Sequence, residues 1–296
     1  MHTIKPFIEF KKERELGDIL TDTFNFIRNE FKPFLGTYFK IVGPYLLVML
    51  LAAGVQLYLF GDIFKFEFDT DAPDITASKI FSMVGVGLVT IILTCIVYTL
   101  SYSAVLHYMK SYSENEGEVR FDEVKQNAHL DFWKFFGMLL LVGITLFFGF
   151  IFCIIPGIYL LVPLSLVFSI MVFQNMGISE AFSESFKLIK DNWWMTFLTL
   201  IVVGIIIWAA SAVFSVPAVI YTWIKMGIFS MQQDAASIGS SITDPVYVLL
   251  NLLSTLAQYL FNVISIVAGV FIYFNLNEKK NFTGTNERID NLGGNL

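Results

Sequence analysis

The 296-residue sequence contains few side chains that can hold a metal ion or carry out redox chemistry. It has three histidines, His2, His107 and His129, and two cysteines, Cys95 and Cys153. Both cysteines lie in apolar runs, where cysteine behaves as a small buried hydrophobic residue. Three scattered imidazoles cannot form the histidine-rich iron sites of carotenoid-cleaving oxygenases or membrane desaturases. We therefore expect no metal, no cofactor and no catalytic residue, and a protein that is not an enzyme.

Charged residues are also scarce, and the long apolar segments contain none in their interiors. Asp, Glu, Lys and Arg make up 15% of the sequence, and the formal net charge is −6. The Lys and Arg residues lie in separate segments and form no basic stripe, which argues against nucleic acid as a partner. The lack of charges inside the apolar segments argues against a proton-coupled pump.

Apolar residues, in contrast, are abundant at 56% of the sequence, and the mean hydropathy is +0.68. Such a chain is too apolar for a soluble domain, because a globule of this size could not bury that much surface. A bilayer core requires about 20 apolar residues per helix. We expect an all-α integral membrane protein with one transmembrane domain over 1–274 and a flexible cytosolic tail over 275–296. Its six spans are predicted at about 38–60, 79–109, 135–155, 156–175, 194–222 and 245–274.

The turns and loops between these spans carry the signals for topology. Pro156-Gly157 divides an apolar block that is too long for one crossing, which predicts a hairpin turn between spans 3 and 4. Residues 64–69 alternate Phe with charged residues, a period of two that predicts a short extended segment. Fifteen of the 19 Lys and Arg residues fall on the side of the termini, whereas the opposite loops hold only Lys65, Lys79 and Lys225. The positive-inside rule therefore predicts that both termini are cytoplasmic.

An internal repeat precedes spans 1 and 5. Residues 16–36 and 178–198 align at a constant offset of 162, and each copy carries one apolar stripe with helical spacing. A helix with one apolar stripe and one charged face, joined to a span, is expected to lie in the headgroup plane. The stripe residues are Leu20, Phe24, Ile27 and Phe31 in the first copy, and Phe182, Phe186, Ile189 and Trp193 in the second.

Tryptophan favours the boundary between lipid and water, because indole combines a large apolar ring with one N–H. We therefore expect Trp193 and Trp194 to mark the point where the surface helix turns into the bilayer. A weaker third copy precedes span 3, where Asp131 and Trp133 correspond to Asp191 and Trp193. The sequence thus predicts cytosolic interfacial helices before spans 1, 3 and 5, each followed by a transmembrane hairpin.

Neutral polar residues within the last span form a second candidate site. Asn251, Gln258 and Asn262 are spaced by seven and four residues, so they share one helical face that should point inward. Two interpretations fit this pattern. The residues could make interhelical hydrogen bonds, or they could line an intramembrane polar pocket for a substrate or a lipid headgroup.

Several motifs resemble one bacterial family. They are Pro156 to Leu160, Glu180-Ala181 with Ser185 and Leu188, Asn192-Trp193-Trp194, and Gly17 to Leu20 with Phe24 and Phe31. Together they resemble YciC-like proteins and the membrane domain attached to some glycerophosphoryl diester phosphodiesterases. The resemblance implies a multi-pass protein of the bacterial inner membrane. The phosphodiesterase of those proteins is a separate soluble barrel that needs clustered His, Glu and Asp, which this sequence does not offer.

Two functions remain open at the level of sequence. The first is a non-catalytic membrane protein that organises lipids or a membrane protein complex through its interfacial helices, with lipids and other membrane proteins as partners. The alternative is a transporter or channel for a small or amphiphilic solute, which would use Asn251, Gln258 and Asn262.

Overall fold

The computed structural model describes residues 7–68, 77–225 and 242–293, and this part of the chain is helical without strands. Six helical segments are long and apolar enough to cross a membrane. The predicted all-α integral membrane fold is therefore confirmed. The helices of the described residues are α1 (Leu16–Asn29), α2 (Phe31–Ile41), α3 (Gly43–Phe68), α4 (Ala77–Glu114), α5 (Phe121–Leu130), α6 (Phe132–Phe152), α7 (Ile154–Leu164), α8 (Val167–Phe173), α9 (Ile178–Ile189), α10 (Trp193–Lys225), α11 (Pro245–Asn281) and α12 (Thr283–Gly293).

The six candidate spans follow the predicted ones with shifted ends. Span 1 begins later than predicted, because α2 ends at Ile41 and α3 starts after one intervening residue. The segment 64–68, which we predicted as extended, belongs to α3, so its period of two is no strand signal. The candidate spans are Gly43–Gly61, Ala77–Glu114, Phe132–Phe152, Ile154–Phe173, Trp193–Lys225 and Pro245–Asn281.

The break between spans 3 and 4 lies at Cys153, three residues before the predicted turn at Pro156-Gly157. Cys153 has extended backbone angles, with φ −171° and ψ 150°, and α7 begins at the next residue. Pro156 is therefore in the first turn of α7, where its missing N–H removes no helical hydrogen bond. A side chain on Gly157 would overlap the ring of Phe150. The Pro-Gly pair thus allows α7 to start and to pack closely on α6.

Chain contacts divide the protein into two compact units, of which the first comprises residues 1–42, 99–205 and 263–296. Within this unit every residue of α11 from 266 to 278 is buried, so the helix is covered on all sides. Phe26 of α1 is completely buried. Its ring centroid lies within 5.1 to 6.3 Å of five other aromatic rings. These rings belong to Phe10, Phe34, Tyr108, Tyr112 and Phe271.

The second unit comprises residues 43–98 and 206–262. Its helices are joined by few polar contacts, such as the hydrogen bond of 2.6 Å that the Ser254 hydroxyl donates to the carbonyl of Phe214. The rings of Tyr98 and Tyr259 lie 5.3 Å apart. Many large apolar side chains of this unit are exposed, which is the arrangement expected of helices that face lipid.

The C-terminal segment 275–296 was predicted to be flexible, and this prediction is wrong for residues 275–293. Residues 275–281 complete α11, and α12 follows after Phe282. The buried carboxylate of Glu278 accepts hydrogen bonds from the backbone N–H groups of Gly284 and Thr285, at 2.7 and 2.9 Å. It also accepts a hydrogen bond of 2.7 Å from the Thr285 hydroxyl. This carboxylate satisfies N–H groups that a helix start leaves free, so a polar sequence folds as a helix.

We expect Glu278→Gln to loosen α12, because the neutral amide replaces a charged acceptor and each charge-assisted hydrogen bond is worth about 2 kcal/mol. Hydrogen exchange of the amides in α12 should accelerate. Asp290→Asn is the matched control, since it makes the same charge change at an exposed position of α12. Equal exchange rates in the two variants would contradict the assigned role of Glu278.

We also expect the two neighbouring faces of α1 to respond differently to truncation. Phe26→Ala should lower the free energy of unfolding by about 3 to 5 kcal/mol, because it leaves a cavity among five rings. Phe24→Ala should change it by less than about 1 kcal/mol, because this ring lies on the exposed face. Unfolding by a denaturing detergent measures both values, and a loss from Phe24→Ala as large as that from Phe26→Ala would refute the assignment of faces.

Candidate membrane-interface site

Three junctions, each between a short polar helix and the helix after it, define the candidate site. The junction residues are Glu30 between α1 and α2, Asp131 between α5 and α6, and Asn192 between α9 and α10. In each case the backbone carbonyl of the junction residue accepts the N–H of the residue four positions later. The three N···O distances are 2.8, 3.0 and 3.0 Å. Backbone hydrogen bonding thus continues across every junction.

The repeat with an offset of 162 appears at the level of helix boundaries. Helices α1 and α9 begin at Leu16 and Ile178, and α2 and α10 begin at Phe31 and Trp193. The N-terminal capping is also the same. The Asp18 carboxylate accepts the N–H of Glu15 at 3.1 Å, and the Glu180 carboxylate accepts the N–H of Gly177 at 3.0 Å. In both copies the carboxylate of the third helical residue thus accepts the N–H of the residue that precedes the helix.

A helix, α5, precedes α6 where the sequence predicted the middle copy, and the starts of α6 and α10 shift the predicted alignment by one residue. We aligned Asp131 with Asp191 and Trp133 with Trp193. The helix starts instead align Asp131 with Asn192, and therefore Trp133 with Trp194. This alignment also pairs the two exposed tryptophans, since Trp133 is 75% exposed and Trp194 is 76% exposed.

Helix α1 has two apolar faces. One face packs inside the protein through Ile19, Thr23 and Phe26, which are all buried. The predicted stripe lies on the neighbouring face, where Phe24 is 42% exposed, and it continues to Phe31 at the start of α2, which is 55% exposed. Leu20 and Ile27 of the same stripe are half-buried. The stripe is therefore directed away from the protein core.

Helix α9 follows the same plan with one exception. Its buried face consists of Ala181, Ser185, Leu188 and Ile189. Phe182 and Phe186 are half-buried and lie against each other, with ring centroids 5.3 Å apart. The prediction that Ile189 faces the membrane interface is wrong. Ile189 lies beside Leu188 and one turn after Ser185, so the helical period places it on the buried face.

The two tryptophans that start α10 are placed differently. The indole N–H of Trp193 donates to the carbonyl of Tyr159 at 3.2 Å, and the two rings stack with centroids 5.6 Å apart. Trp193 therefore ties α10 to the hairpin of α6 and α7. Trp194 is exposed and forms an edge contact with the Trp193 ring. The outward tryptophan of the pair is Trp194.

The predicted polar face of the last span is divided in the structure. The amide of Asn251 donates to the carbonyl of Tyr247 in its own helix, at 3.1 Å. Gln258 is exposed, so its predicted inward orientation is wrong. Asn262 has a buried Nδ2 without a hydrogen-bond partner among the described residues. The three side chains therefore do not act as one set.

Two junction residues carry carboxylates that lie against successive residues of α4. The hydroxyl of Tyr108 donates to Glu30 at 3.0 Å, and Nε2 of His107 lies 3.1 Å from an oxygen of Asp131. Glu30, His107 and Tyr108 are all buried. Helix α4 therefore holds the first two junctions in place through polar side chains.

Arg14 organises the chain before α1. Its side chain is fully buried, and Nε donates to the Asp22 carboxylate at 2.8 Å. The guanidinium also donates to three carbonyls, those of Glu9, Phe10 and Lys12. Burial lowers the pKa of Arg14 despite the neighbouring Asp22. Burial raises the pKa of Asp22, but the hydrogen bonds from Arg14 and Lys12 outweigh this effect, and the pKa lies below its ordinary value.

A polar cavity of about 330 Å³ opens beside Arg14 at the N-terminus of α1. Two helical segments line the cavity, and the residues that each contributes are spaced so that they lie on one face of the helix. The contributing residues are Asn192, which directly precedes α10, Met195, Thr196 and Thr199 from α10, and Ile272, Asn275, Leu276 and Lys279 from α11. The chain from Arg14 to Gly17, with Ile19, closes the third side.

Sequence reasoning missed the residues of this cavity. Asn275 and Lys279 lie in the segment that we predicted as a flexible tail. The backbone N–H of Arg14 donates to Oδ1 of Asn275 at 2.8 Å, across 261 residues of sequence. The only local signal was the run of polar residues directly after an apolar span, which is also typical of disorder.

No protein-family model matches the chain, and no curated protein and no solved structure is significantly similar to it.

We expect the Arg14–Asp22 pair to make the free energy of unfolding depend on pH in the acidic range. The folded-state pKa of Asp22 is lowered from 3.8, so the stabilisation is present above that pH and is lost as the pH falls through the folded-state pKa. Asp22→Asn should remove this part of the pH dependence and cost about 2 kcal/mol at neutral pH. Thermal unfolding between neutral pH and pH 3 measures both effects.

Glu13→Gln is the control, since Glu13 is exposed in the same segment. If thermal unfolding of Asp22→Asn depended on pH as it does in the unmodified protein, another carboxylate would be responsible for that dependence.

Proposed function

We propose that this protein is a non-catalytic multi-pass protein of the bacterial inner membrane that organises lipids or a membrane protein complex through interfacial helices. The observation that carries the proposal is the outward placement of large apolar side chains at all three junctions. Phe31, Trp133 and Trp194 each follow a junction residue by one or two positions, and each is exposed.

The physical basis is the cost of leaving such side chains in water. Moving one Phe or Leu side chain from water into an apolar environment is favourable by about 2 kcal/mol. The exposed Phe24 of α1 and Phe31 at the start of α2 extend this apolar surface, next to charged residues such as Arg28 and Lys32. A helix of this kind binds at the boundary between headgroups and acyl chains.

A groove beside Trp194 supports lipid as the partner. It has a volume of about 530 Å³, and Ile155, Ile158 and Phe197 contribute to its apolar lining. Lys190 and Asp191 line the same groove. An amphiphile with a hydrocarbon chain and a polar head has the chemistry that such a lining accommodates.

The orientation of the protein in the membrane and the type of membrane are part of the same proposal. The excess of Lys and Arg on the side of the termini favours cytoplasmic termini. The resemblance to YciC-like proteins favours a bacterial inner membrane. The interfacial helices would then face the cytosol, where partner proteins are available.

The transport alternative has less support. Asn251 and Gln258 do not converge with Asn262, so the described residues of this helix offer no continuous polar face. The unpartnered amide atoms of Asn262 and Gln56 are the observation in its favour.

Quenching of single tryptophans by brominated lipids tests the proposed interface. Each variant retains one of the five tryptophans, and the others are replaced by Phe. We expect Trp133 and Trp194 to be quenched more by bromine near the headgroup than by bromine near the chain end. Trp208 is the matched control, because it is exposed in the middle of the span Trp193–Lys225 and should show the reverse order.

Quenching of Trp133 and Trp194 by aqueous iodide, without quenching by either lipid, would overturn the interfacial placement. Purified protein that retains no lipid, and that cross-links to no protein in native membranes, would overturn the organising role.

A further inference from the structure

We propose that the polar cavity between α1, α10 and α11 binds a phosphate group, carried either by a lipid headgroup or by a small phosphate ester. The ligand groups are the ammonium of Lys279, the amide Nδ2 of Asn275 and the first N–H groups of α1. For the lipid source this inference deepens the proposed function and rests on it; for a soluble phosphate it stands alone.

Lys279 supplies the charge. It lines the cavity and is half-buried. None of the carboxylates in the described residues lies within ion-pair distance of it, whereas the charge of Arg14 is balanced by Asp22 at 2.8 Å. A lysine ammonium that faces a cavity without a counterion is available to an anion.

Asn275 supplies a directed donor. Only 6% of this residue is exposed. Its Oδ1 accepts the backbone N–H of Arg14 at 2.8 Å, which fixes the side-chain amide. Its Nδ2 donates to no residue in the described part of the chain, and Asn275 lines the cavity. The amide is therefore held in place with a donor left for a ligand.

The first turn of α1 supplies backbone donors. Ile19 N–H bonds to the carbonyl of Glu15, and the Asp18 carboxylate accepts the N–H of Glu15. The N–H groups of Leu16 and Gly17 have no acceptor in the described residues, and both residues line the cavity. No atom lies within 4 Å of the position of a Cβ on Gly17, so the approach is open. Free N–H groups and the helix dipole favour an anion here.

The remaining polar groups of the cavity do not compete for this role. The hydroxyls of Thr196 and Thr199 donate to carbonyls of their own helix, at 2.9 and 2.8 Å. The Glu15 carboxylate lines the cavity as an acceptor and offers a ligand no donor. The donors left for a ligand are thus those of Lys279, Asn275 and the α1 N-terminus, together with the side-chain amide of Asn192.

Binding to the purified protein in an uncharged maltoside detergent tests the proposal by calorimetry. The probes are inorganic phosphate, dioctanoyl phosphatidylglycerol and dioctanoylglycerol, which lacks phosphate. We expect binding of a phosphate-bearing probe and none of dioctanoylglycerol. Lys279→Gln and Asn275→Asp should each weaken it at least about tenfold, since each removes a hydrogen bond to a charged ligand.

Lys280→Gln is the matched control and should leave the affinity within about twofold, as is usual for a residue outside the site. Lys280 is the next residue of α11, but its ammonium donates to the carbonyl of Lys187 at 3.0 Å and does not line the cavity. Asn275→Asp retains the oxygen that accepts the N–H of Arg14. If this variant fails to fold, Lys279→Gln decides the result, because Lys279 forms no hydrogen bond or ion pair within the described residues.

The comparison of the two phosphate-bearing probes also identifies the source of the phosphate. Binding of inorganic phosphate alone assigns a soluble phosphate, and binding of phosphatidylglycerol alone assigns a lipid headgroup. Failure of both probes to bind, or an equal loss in Lys280→Gln and Lys279→Gln, overturns the proposal. The measurement uses no bilayer, so its outcome is independent of the depth of Trp133 and Trp194.

Discussion

Hydrocarbon offers no hydrogen-bond partner, so the backbone must satisfy its own polar groups before it enters the bilayer. This constraint explains the form of the three junctions. At Glu30, Asp131 and Asn192 the chain changes from a polar helix to the helix that follows, yet the backbone carbonyl still accepts an N–H four residues later. Glu30 and Asp131 also place their carboxylates against α4. These contacts place the first two junctions directly beside α4.

Local periodicity is sufficient to predict six spans, three amphipathic helices and an offset of 162, because each depends on residues close in sequence. It is not sufficient to decide which apolar line of a helix packs inside the protein. In α1 the buried Phe26 and the exposed Phe24 are two residues apart and chemically identical. The difference arises from Phe10, Tyr112 and Phe271, which reach Phe26 from distant parts of the chain. Long-range contacts of this kind leave no periodic signal.

The same limit explains the errors at segment ends. A polar stretch after an apolar span is typical of a disordered tail, and composition alone cannot reveal that Glu278 caps the helix that follows it. Likewise, Pro-Gly usually marks a turn, but a proline also fits the first turn of a helix. In this protein the Pro-Gly pair lies in the first turn of α7, where Gly157 allows close packing on Phe150. The polar cavity was unpredictable for the same reason, since Arg14 and Asn275 meet across nearly the whole chain.

The residues at the start of α10 lie between the polar cavity and the apolar groove, the two surfaces proposed to bind lipid. Asn192 and Met195 line both the polar cavity and the apolar groove beside Trp194. One helical turn thus separates donors suited to a phosphate from a surface suited to an acyl chain, which is the order of groups along a phospholipid. Trp193 holds this turn against the hairpin through its hydrogen bond to Tyr159. A phospholipid with its phosphate in the cavity, as proposed above, would have its acyl chains within one helical turn of the groove.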